Sequence, residues 1–309
     1  MRERATAFAP ASVGNVAIGF DILGFAIDVL GDRVTVTTHS APGVQISTVR
    51  GIAGELPREA RENTAGRALL ALQEAVHPPF GFRVDIDKGI PLGSGLGGSA
   101  ASAVAAVVAA NALLPRPLSR LELLEFAMVG EAVASGARHV DNIAASLFGG
   151  LALTVGIDHP RVKLIPVPAS IRAVVVHPHM FLATSRARAI LKGSVELSDF
   201  VWQTANLAGF ISGCYTDDLE MIRASFEDVV IEPQRAALIP GFGDVRRAAM
   251  GAGAFGCSIS GAGPSMFAWT LESDSVAVLA AMRGQFERHS LATDHWVVEV
   301  RSAGARVLD

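Results

Sequence analysis

PLGSGLGGSAASAVAAVVAAN, residues 91–111, sets four glycines between Gly93 and Gly98 directly ahead of an alanine-rich run. Glycine lets a backbone bend tightly and approach a ligand closely. The helix expected behind it offers unpaired N–H groups and the positive end of a dipole. An anion, and first of all a phosphate, is the expected occupant. Gly93, Gly95 and Gly98 satisfy the G-x-G-x-x-G pattern of a dinucleotide site. That reading fails on two counts: residues 113–121 contain no Asp or Glu for a ribose, and the motif lies mid-chain and not on an opening βαβ unit. No Gly-Lys-Ser/Thr follows the glycines, which excludes a Walker loop, and the catalytic sequences of a protein kinase are absent. The phosphate site is of another kind, with a glycine turn that serves only helix–strand packing as the alternative.

Working outward, 309 residues of which half are hydrophobic suffice for two domains of ordinary size. A net charge of only -4, with acids and bases interspersed, leaves no electrostatic footprint for nucleic acid and no basic stripe for a membrane surface, so the expected partner is a small molecule. Cys214 and Cys257 stand in no ligand-like spacing and read as buried free thiols in a reducing compartment. MRERATAFAPASVGN, at the start, has no apolar stretch behind its charges, and a cytoplasmic location is expected. Residues 100–114 are too short and too often interrupted to span a bilayer and read as a buried helix.

The chain alternates short β-like runs with helical ones, an α+β pattern without internal repeats. Strands are expected at 33–38, 82–87, 151–155, 173–177, 255–260, 266–270 and 296–300. Helices are expected at 64–75, 99–113, 119–135, 142–147, 185–191, 197–212, 221–225, 245–251 and 275–289. GIDHPRVKLIPVP, residues 156–168, is rich in proline and charge and reads as a connection, which places domains at 1–160 and 161–309.

Helical spacing across 119–135 puts Leu124, Met128, Glu131 and Ser135 on one side, so Glu131 shares an apolar face and needs a counter-charge. Magnesium held with a nucleotide phosphate would supply it, with the Ser99 hydroxyl as second ligand; an ordinary ion pair is the alternative. GNVAIGFDILG, if extended, turns Asn15, Ala17, Gly19 and Asp21 to one side, a small polar face able to line a cavity; a turn using Asn and Asp for local hydrogen bonds competes. RHVDN places His139, Asp141 and Asn142 before a helix, where one of them serves as a cap and an Asp is able to orient or deprotonate an attacking hydroxyl. ATSRARAIL offers a Thr184 or Ser185 cap followed by Arg188, and EPQRAALIPGF sets Arg235 beside a proline-bounded turn. Two arginines converging would clamp a carboxylate. The loop at 260–265 in FGCSISGAGPSMFAW either closes on the phosphate site or is a tight hairpin.

Together, PLGSGLGGSAAS, GNVAIGFDILG, HVDN, EPQRAALIPGF and SGAGPS resemble the GHMP kinase superfamily and, within it, the homoserine kinases, from the N-terminus to about residue 265. The resemblance implies two α+β domains, the first with a left-handed βαβ unit and the second ferredoxin-like, with the site in the cleft between them. It implies ATP and Mg²⁺, phosphorylation of the side-chain hydroxyl of L-homoserine in threonine biosynthesis, and a homodimer. Carried over by position, Pro91, Leu92, Gly93, Ser94, Gly95, Leu96, Gly97, Gly98, Ser99, Ala100 and Ala101 would wrap the ATP phosphates, and Asn63 would lie near the adenine. Ser99 and Glu131 would hold magnesium. Asn15, Asp21, His139, Asp141, Asn142, Thr184, Arg188 and Arg235 would line the amino-acid pocket, with Asp141, Asn142 and Glu131 as the catalytic group. One departure is visible: the family loop usually carries a serine where this chain has Gly98, so one hydroxyl contact to phosphate is lost while the backbone N–H remains.

Overall fold

A computed structural model describes residues 2–52, 56–135, 140–156 and 159–308, with the backbone alone at 134 and 135. The first part contains β1 (Arg4–Gly14), β2 (Leu23–His39), β3 (Val44–Gly51), α1 (Thr64–Val76), β4 (Gly81–Lys88), α2 (Gly98–Asn111), α3 (Arg120–Ser135), α4 (Val140–Phe148), β5 (Leu151–Val155) and β6 (Arg161–Ile165). The second contains β7 (Ile171–Pro178), α5 (Thr184–Ala189), α6 (Leu197–Thr216), α7 (Leu219–Ala224), α8 (Glu232–Arg235), α9 (Phe242–Gly251), β8 (Gly256–Ile259), β9 (Met266–Leu271), α10 (Ser275–Arg288), β10 (Thr293–Glu299) and β11 (Arg306–Val307).

The first sheet runs β11-β1-β2-β4-β3, with β5 also paired to β2 and β6 to β5. β3 and β4 are parallel neighbours joined through α1, which makes the expected βαβ unit. The alanine-rich run becomes α2, and every residue of it from Ala100 to Ala110 is buried. A helix apolar on all sides belongs inside, and its methyl side chains let it lie close to β1, β2, α1 and α3. The phosphate-loop end of α2 is thereby fixed to the centre of the domain.

The second sheet is antiparallel, in the order β10-β7-β9-β8. With its helices the sequence of elements is β, α, β, β, α, β, the ferredoxin-like arrangement. Alternation along β7 splits its two faces: Val174 and Val176 pack with Phe242, Met282 and Phe286 of α9 and α10, while Ala173 and Val175 turn to the core shared with the first sheet. There the Trp269 ring meets Phe25, Phe210 and Phe226, with centroids 6.0, 5.1 and 5.5 Å away. These rings join the two sheets beneath the cleft.

Three expectations are corrected. The stretch 156–168 is not simply a connection: residues 161–165 form β6, antiparallel to β5 in the first sheet. Its charges are those of an edge strand, where Arg161 and Lys163 face solvent and discourage further pairing. GNVAIGFDILG is not extended; the competing turn, with Asn and Asp in local hydrogen bonds, is what forms. Asn15, Val16, Ala17 and Asp21 have φ of 69°, 45°, 59° and 61°, so the segment is a left-handed turn between β1 and β2, with Asp21 N–H donating to Asn15 Oδ1 at 3.1 Å. Neither Thr184 nor Ser185 caps α5: the cap position is Ala183, and no side chain bonds there. Strands β1, β3 and β11 were not expected either. Pro10 hides β1, since proline inside a run argues against a strand, and the chain accommodates it at a register shift between Pro10 and Ala11.

Candidate active site

The loop after β4 makes its bends with left-handed glycines: Gly93, Gly95 and Gly97 have φ of 62°, 77° and 67°. A Cβ on Gly95 would stand 2.5 Å from Ser260 O and 2.6 Å from Gly263 O, and one on Gly97 would run into Ser12 Oγ. Gly97 is the N-cap of α2, and no side chain satisfies the first N–H groups of that helix. Unfilled donors at a helix start, behind a backbone that only glycine can trace, make a cradle for phosphate oxygens.

The loop is held in place from the second domain. Ser260 Oγ donates to Gly95 O at 2.7 Å, Ser265 N–H to Ser94 O at 3.1 Å and Leu182 N–H to Gly93 O at 3.1 Å. The β8–β9 loop is thus both a hairpin and a brace on the phosphate loop. Behind it, His177 Nδ1 lies 3.0 Å from Ser265 Oγ, and burial pushes its pKa down to about 4, so the ring is neutral at ordinary pH.

One cavity of about 310 Å³ gathers most of the expected side chains. Pro91, Leu92, Gly93, Ser94, Gly95, Gly97, Gly98 and Ser99 line it; Leu96, Ala100 and Ala101 are fully buried and serve as the loop's anchor in the core. Glu131, 5% exposed on α3, opens onto the same cavity as Ser99. Its neighbours Leu124 and Met128 are buried as expected, while the Ser135 side chain lies outside the described ones. Among the described residues no three His, Cys, Asp or Glu side chains cluster into a full metal shell. Magnesium takes one or two carboxylates and completes its octahedron with phosphate oxygens and water, so a buried carboxylate and a hydroxyl at the mouth of a phosphate cradle fit it.

Asp141 and Asn142 lie in the first turn of α4, inside the helix and not at its cap. Asp141, 1% exposed, accepts from Asn15 N–H at 3.1 Å and Asn142 Nδ2 at 3.2 Å; Asn142 Oδ1 in turn accepts from Ser12 Oγ at 2.9 Å. Asn15 Nδ2 donates to Gly261 O at 2.9 Å, so the strained turn, α4 and the brace loop lock one another. His139 lies outside the described residues.

The two arginines do converge. The Arg188 and Arg235 guanidinium carbons stand 5.1 and 5.2 Å from the Phe20 ring centre, and both residues line the cavity. Arg188 Nη2 reaches both oxygens of Asp21, at 2.8 and 2.7 Å. Arg235, 3% exposed, donates from Nε to Ala187 O and from Nη1 to Gly261 O, each at 3.0 Å. Burial, and after it the nearby Arg188 charge, hold the Arg235 pKa below its ordinary value. The charges of Asp21, Asp228 and Asp141 act on Arg235 in the opposite direction, so the wall holds both signs of charge, with the two guanidinium groups side by side where an anion would meet them. Thr184, at the start of α5, lines the same wall.

Asn63 does not reach the cavity lining. It is the N-cap of α1, accepting from Ala65 and Gly66 N–H at 3.0 and 3.2 Å and donating to Pro57 O at 2.8 Å. Sequence reasoning missed Ser12 and Phe181. Ser12 hides in the strand that Pro10 obscures. Phe181 lines the cavity although 67% exposed, and a lone aromatic between elements carries no pattern.

Two family models match the chain: the GHMP kinases N terminal domain over residues 63–150 and the GHMP kinases C terminal over 210–288. The homoserine kinase of Xylella fastidiosa (strain 9a5c) is 50% identical over 307 residues, covering 99% of this chain and 94% of its own. That of Chloroherpeton thalassium is 43% identical, covering 99% of this chain and all of its own. The crystal structure of homoserine kinase from Cytophaga hutchinsonii superposes with a TM-score of 0.94 at 41% identity, covering 100% of this chain and 98% of that one.

Proposed function

The chain belongs to the homoserine kinases of the GHMP kinase family, and on that premise we propose how its cavity transfers the γ-phosphoryl group of ATP to the side-chain hydroxyl of L-homoserine. Kinase activity and the use of ATP come with the family, as does a place in threonine biosynthesis. The observation that carries the reading is that a single cavity is lined at once by the glycine loop, by Ser99 and Glu131, and by Arg188 and Arg235. Homoserine is a zwitterion with a free hydroxyl. Its site therefore needs cations, anions and a route to a phosphate together, a combination that a neutral sugar would not call for.

In this reading the backbone N–H groups from Gly93 to Ser99 and the start of α2 hold the phosphates. Ser99 and Glu131 hold magnesium, which when bound neutralises charge on the transferring group. Arg188 and Arg235 take the substrate carboxylate. Asn15, Asp21, Asp141 and Thr184 surround its ammonium and main chain, with Asp21 poised by its bond to Arg188. Asp141 and Asn142 orient the hydroxyl; a loose phosphoryl-transfer transition state asks mainly for positioning and charge neutralisation. Asp141→Asn should then lower kcat by about 10- to 100-fold; a loss beyond about 10⁴-fold, with homoserine binding intact, would make Asp141 the general base. Asn63 shapes the adenine side through the start of α1.

A homodimer fits an exposed apolar stretch at the start of α6, where Leu197, Phe200 and Trp202 are 76%, 58% and 64% exposed. No helix among the described residues is long and apolar enough to cross a membrane, in keeping with a proposed cytoplasmic location. The division into 1–160 and 161–309 remains a proposal; it cuts the chain just before β6, although β6 and β11 both pair within the first sheet.

The test is a coupled ADP-release assay with Mg²⁺-ATP, offering L-homoserine, D-homoserine, mevalonate, galactose and shikimate in parallel, with a chelator control. Turnover of L-homoserine alone, abolished by the chelator, is the expected result. Turnover of another alcohol would discard the arginine clamp, and turnover that survives chelation would discard the Ser99–Glu131 metal pair.

A further inference from the structure

Directly behind the phosphate loop lies a charged group that the reaction described above does not use. Lys88, the last residue of β4, is 2% exposed and forms an ion pair with Asp32 of β2, which is fully buried. The Lys88 ammonium also donates to Gly98 O at 2.7 Å and to Ser102 Oγ at 2.8 Å, and Ser102 Oγ donates to Asp32 Oδ2 at 2.6 Å. The other carboxylate oxygen, Asp32 Oδ1, accepts from Gly89 and Ile90 N–H at 3.0 and 3.3 Å. All three ammonium protons have an acceptor, and both carboxylate oxygens are engaged.

A buried ion pair is weak support for stability, because an apolar pair of similar volume often serves as well. What an apolar pair lacks is direction. Here one charge pair ties down three pieces of the phosphate site: the exit of β4 into the loop through Gly89 and Ile90, the first turn of α2 through the Gly98 carbonyl, and the second turn through Ser102. Gly98 itself lies against the pair, and a Cβ there would stand 3.2 Å from Ile90 Cγ2 and 3.6 Å from Lys88 Nζ. The residue between Gly98 and the buried core of α2 that meets the cavity is Ser99.

We propose that Lys88, Asp32 and Ser102 are positioning residues that set the register of the α2 N-terminus, and with it the N–H groups and the Ser99 hydroxyl that meet ATP. The inference rests on the reading of the glycine loop as the ATP cradle. It separates these residues from the amino-acid pocket: they govern nucleotide binding and leave homoserine binding alone.

Lys88→Met or Asp32→Asn alone strands a buried charge and is prone to misfold, so the decisive variant is the neutral pair Lys88→Met/Asp32→Asn. It leaves no lone charge and keeps a side-chain oxygen for Gly89 and Ile90. Ser102→Ala is the mild companion. Direct titration with a fluorescent ATP analogue is the readout, beside KM for each substrate and a thermal melt. The pair variant should melt as a folded protein and bind the analogue about tenfold more weakly or worse, with the homoserine KM within about twofold of wild type; Ser102→Ala should weaken the analogue about two- to fivefold. Wild-type nucleotide affinity in the folded pair variant would overturn the inference, as would equal shifts in both KM values. Failure of the wild-type protein to bind the analogue at all would instead overturn the reading of the loop as an ATP cradle.

Discussion

On the proposed assignment, the phosphate side and the amino-acid side of the cavity are built on opposite principles. The first is a contiguous stretch, Pro91 to Ser99, that works through its backbone, with glycines where a Cβ would collide and a buried ion pair behind it. The second is a set of side chains drawn from the turn at 15–21, from α4, α5 and α8, and it works through full charges, with Arg188 and Arg235 against the face of Phe20. A phosphate tail is common to every ATP-using enzyme, and a fixed lattice of N–H donors suffices for it. An amino acid has to be told from other alcohols, and that calls for placed charges of both signs.

If this contrast holds, substitutions should separate cleanly by substrate. The largest effect is expected from Glu131→Gln, which should lower kcat by about 10³-fold in the coupled assay while homoserine still binds. Near-normal kcat at saturating magnesium would remove Glu131 from the metal site. Next, Arg188→Met and Arg235→Met should each raise the homoserine KM about 100-fold, the worth of a charge-assisted pair of hydrogen bonds, with the ATP KM within about twofold. A matching rise for ATP would break the division. Gly97→Ala should raise the ATP KM about tenfold, because φ of 67° is strained for alanine and the methyl group runs into Ser12 Oγ. Since Ser12 holds Asn142, a smaller rise for homoserine should accompany it, which measures how far the two sides communicate.

The smallest effect concerns pH. Glu232, in α8 beside Arg235, has its pKa pushed up to about 7 by burial, against an ordinary 4.5. A raised carboxyl keeps its proton in the fold and ionises earlier in the unfolded chain. The stability it lends is full below pH 4.5 and is lost as pH rises through 7. Glu232→Gln should therefore stabilise the protein above pH 7, by on the order of 3 kcal/mol at most, and leave it nearly unchanged at pH 4.5. Urea midpoints at pH 4.5 and 8.5 check this, and an equal gain at both would show that packing and not ionisation is responsible.

The same contrast explains what could be read before the fold was known. A backbone site writes itself into contiguous glycines, and a buried helix writes itself into alanine, so the loop and α2 were legible from residues 91–111 alone. Arg188 and Arg235 are neighbours only after folding, and each is ordinary by itself; the sequence offered them as a clamp only on condition that they converge, and the resemblance added the substrate carboxylate. The segment 15–21 misled because its alternation mimics a strand, whereas Asn15 and Asp21 are there to tolerate positive φ. Asn63 in ENTAG carried a plain cap signature three residues ahead of Gly66, and capping is what its side chain does. Strand β6 was concealed by the charges that suit it to an edge. Lys88 and Asp32 escaped because no local pattern announces an ion pair formed across 56 residues.

Strand β11 also closes a sheet edge. Ala7 and Phe8 pair with Val307 and Arg306, from the far end of the fold's sequence. Without that short strand β1 would present an open edge, and open edges recruit strands from other chains. Two paired residues thus guard the first sheet against unwanted assembly.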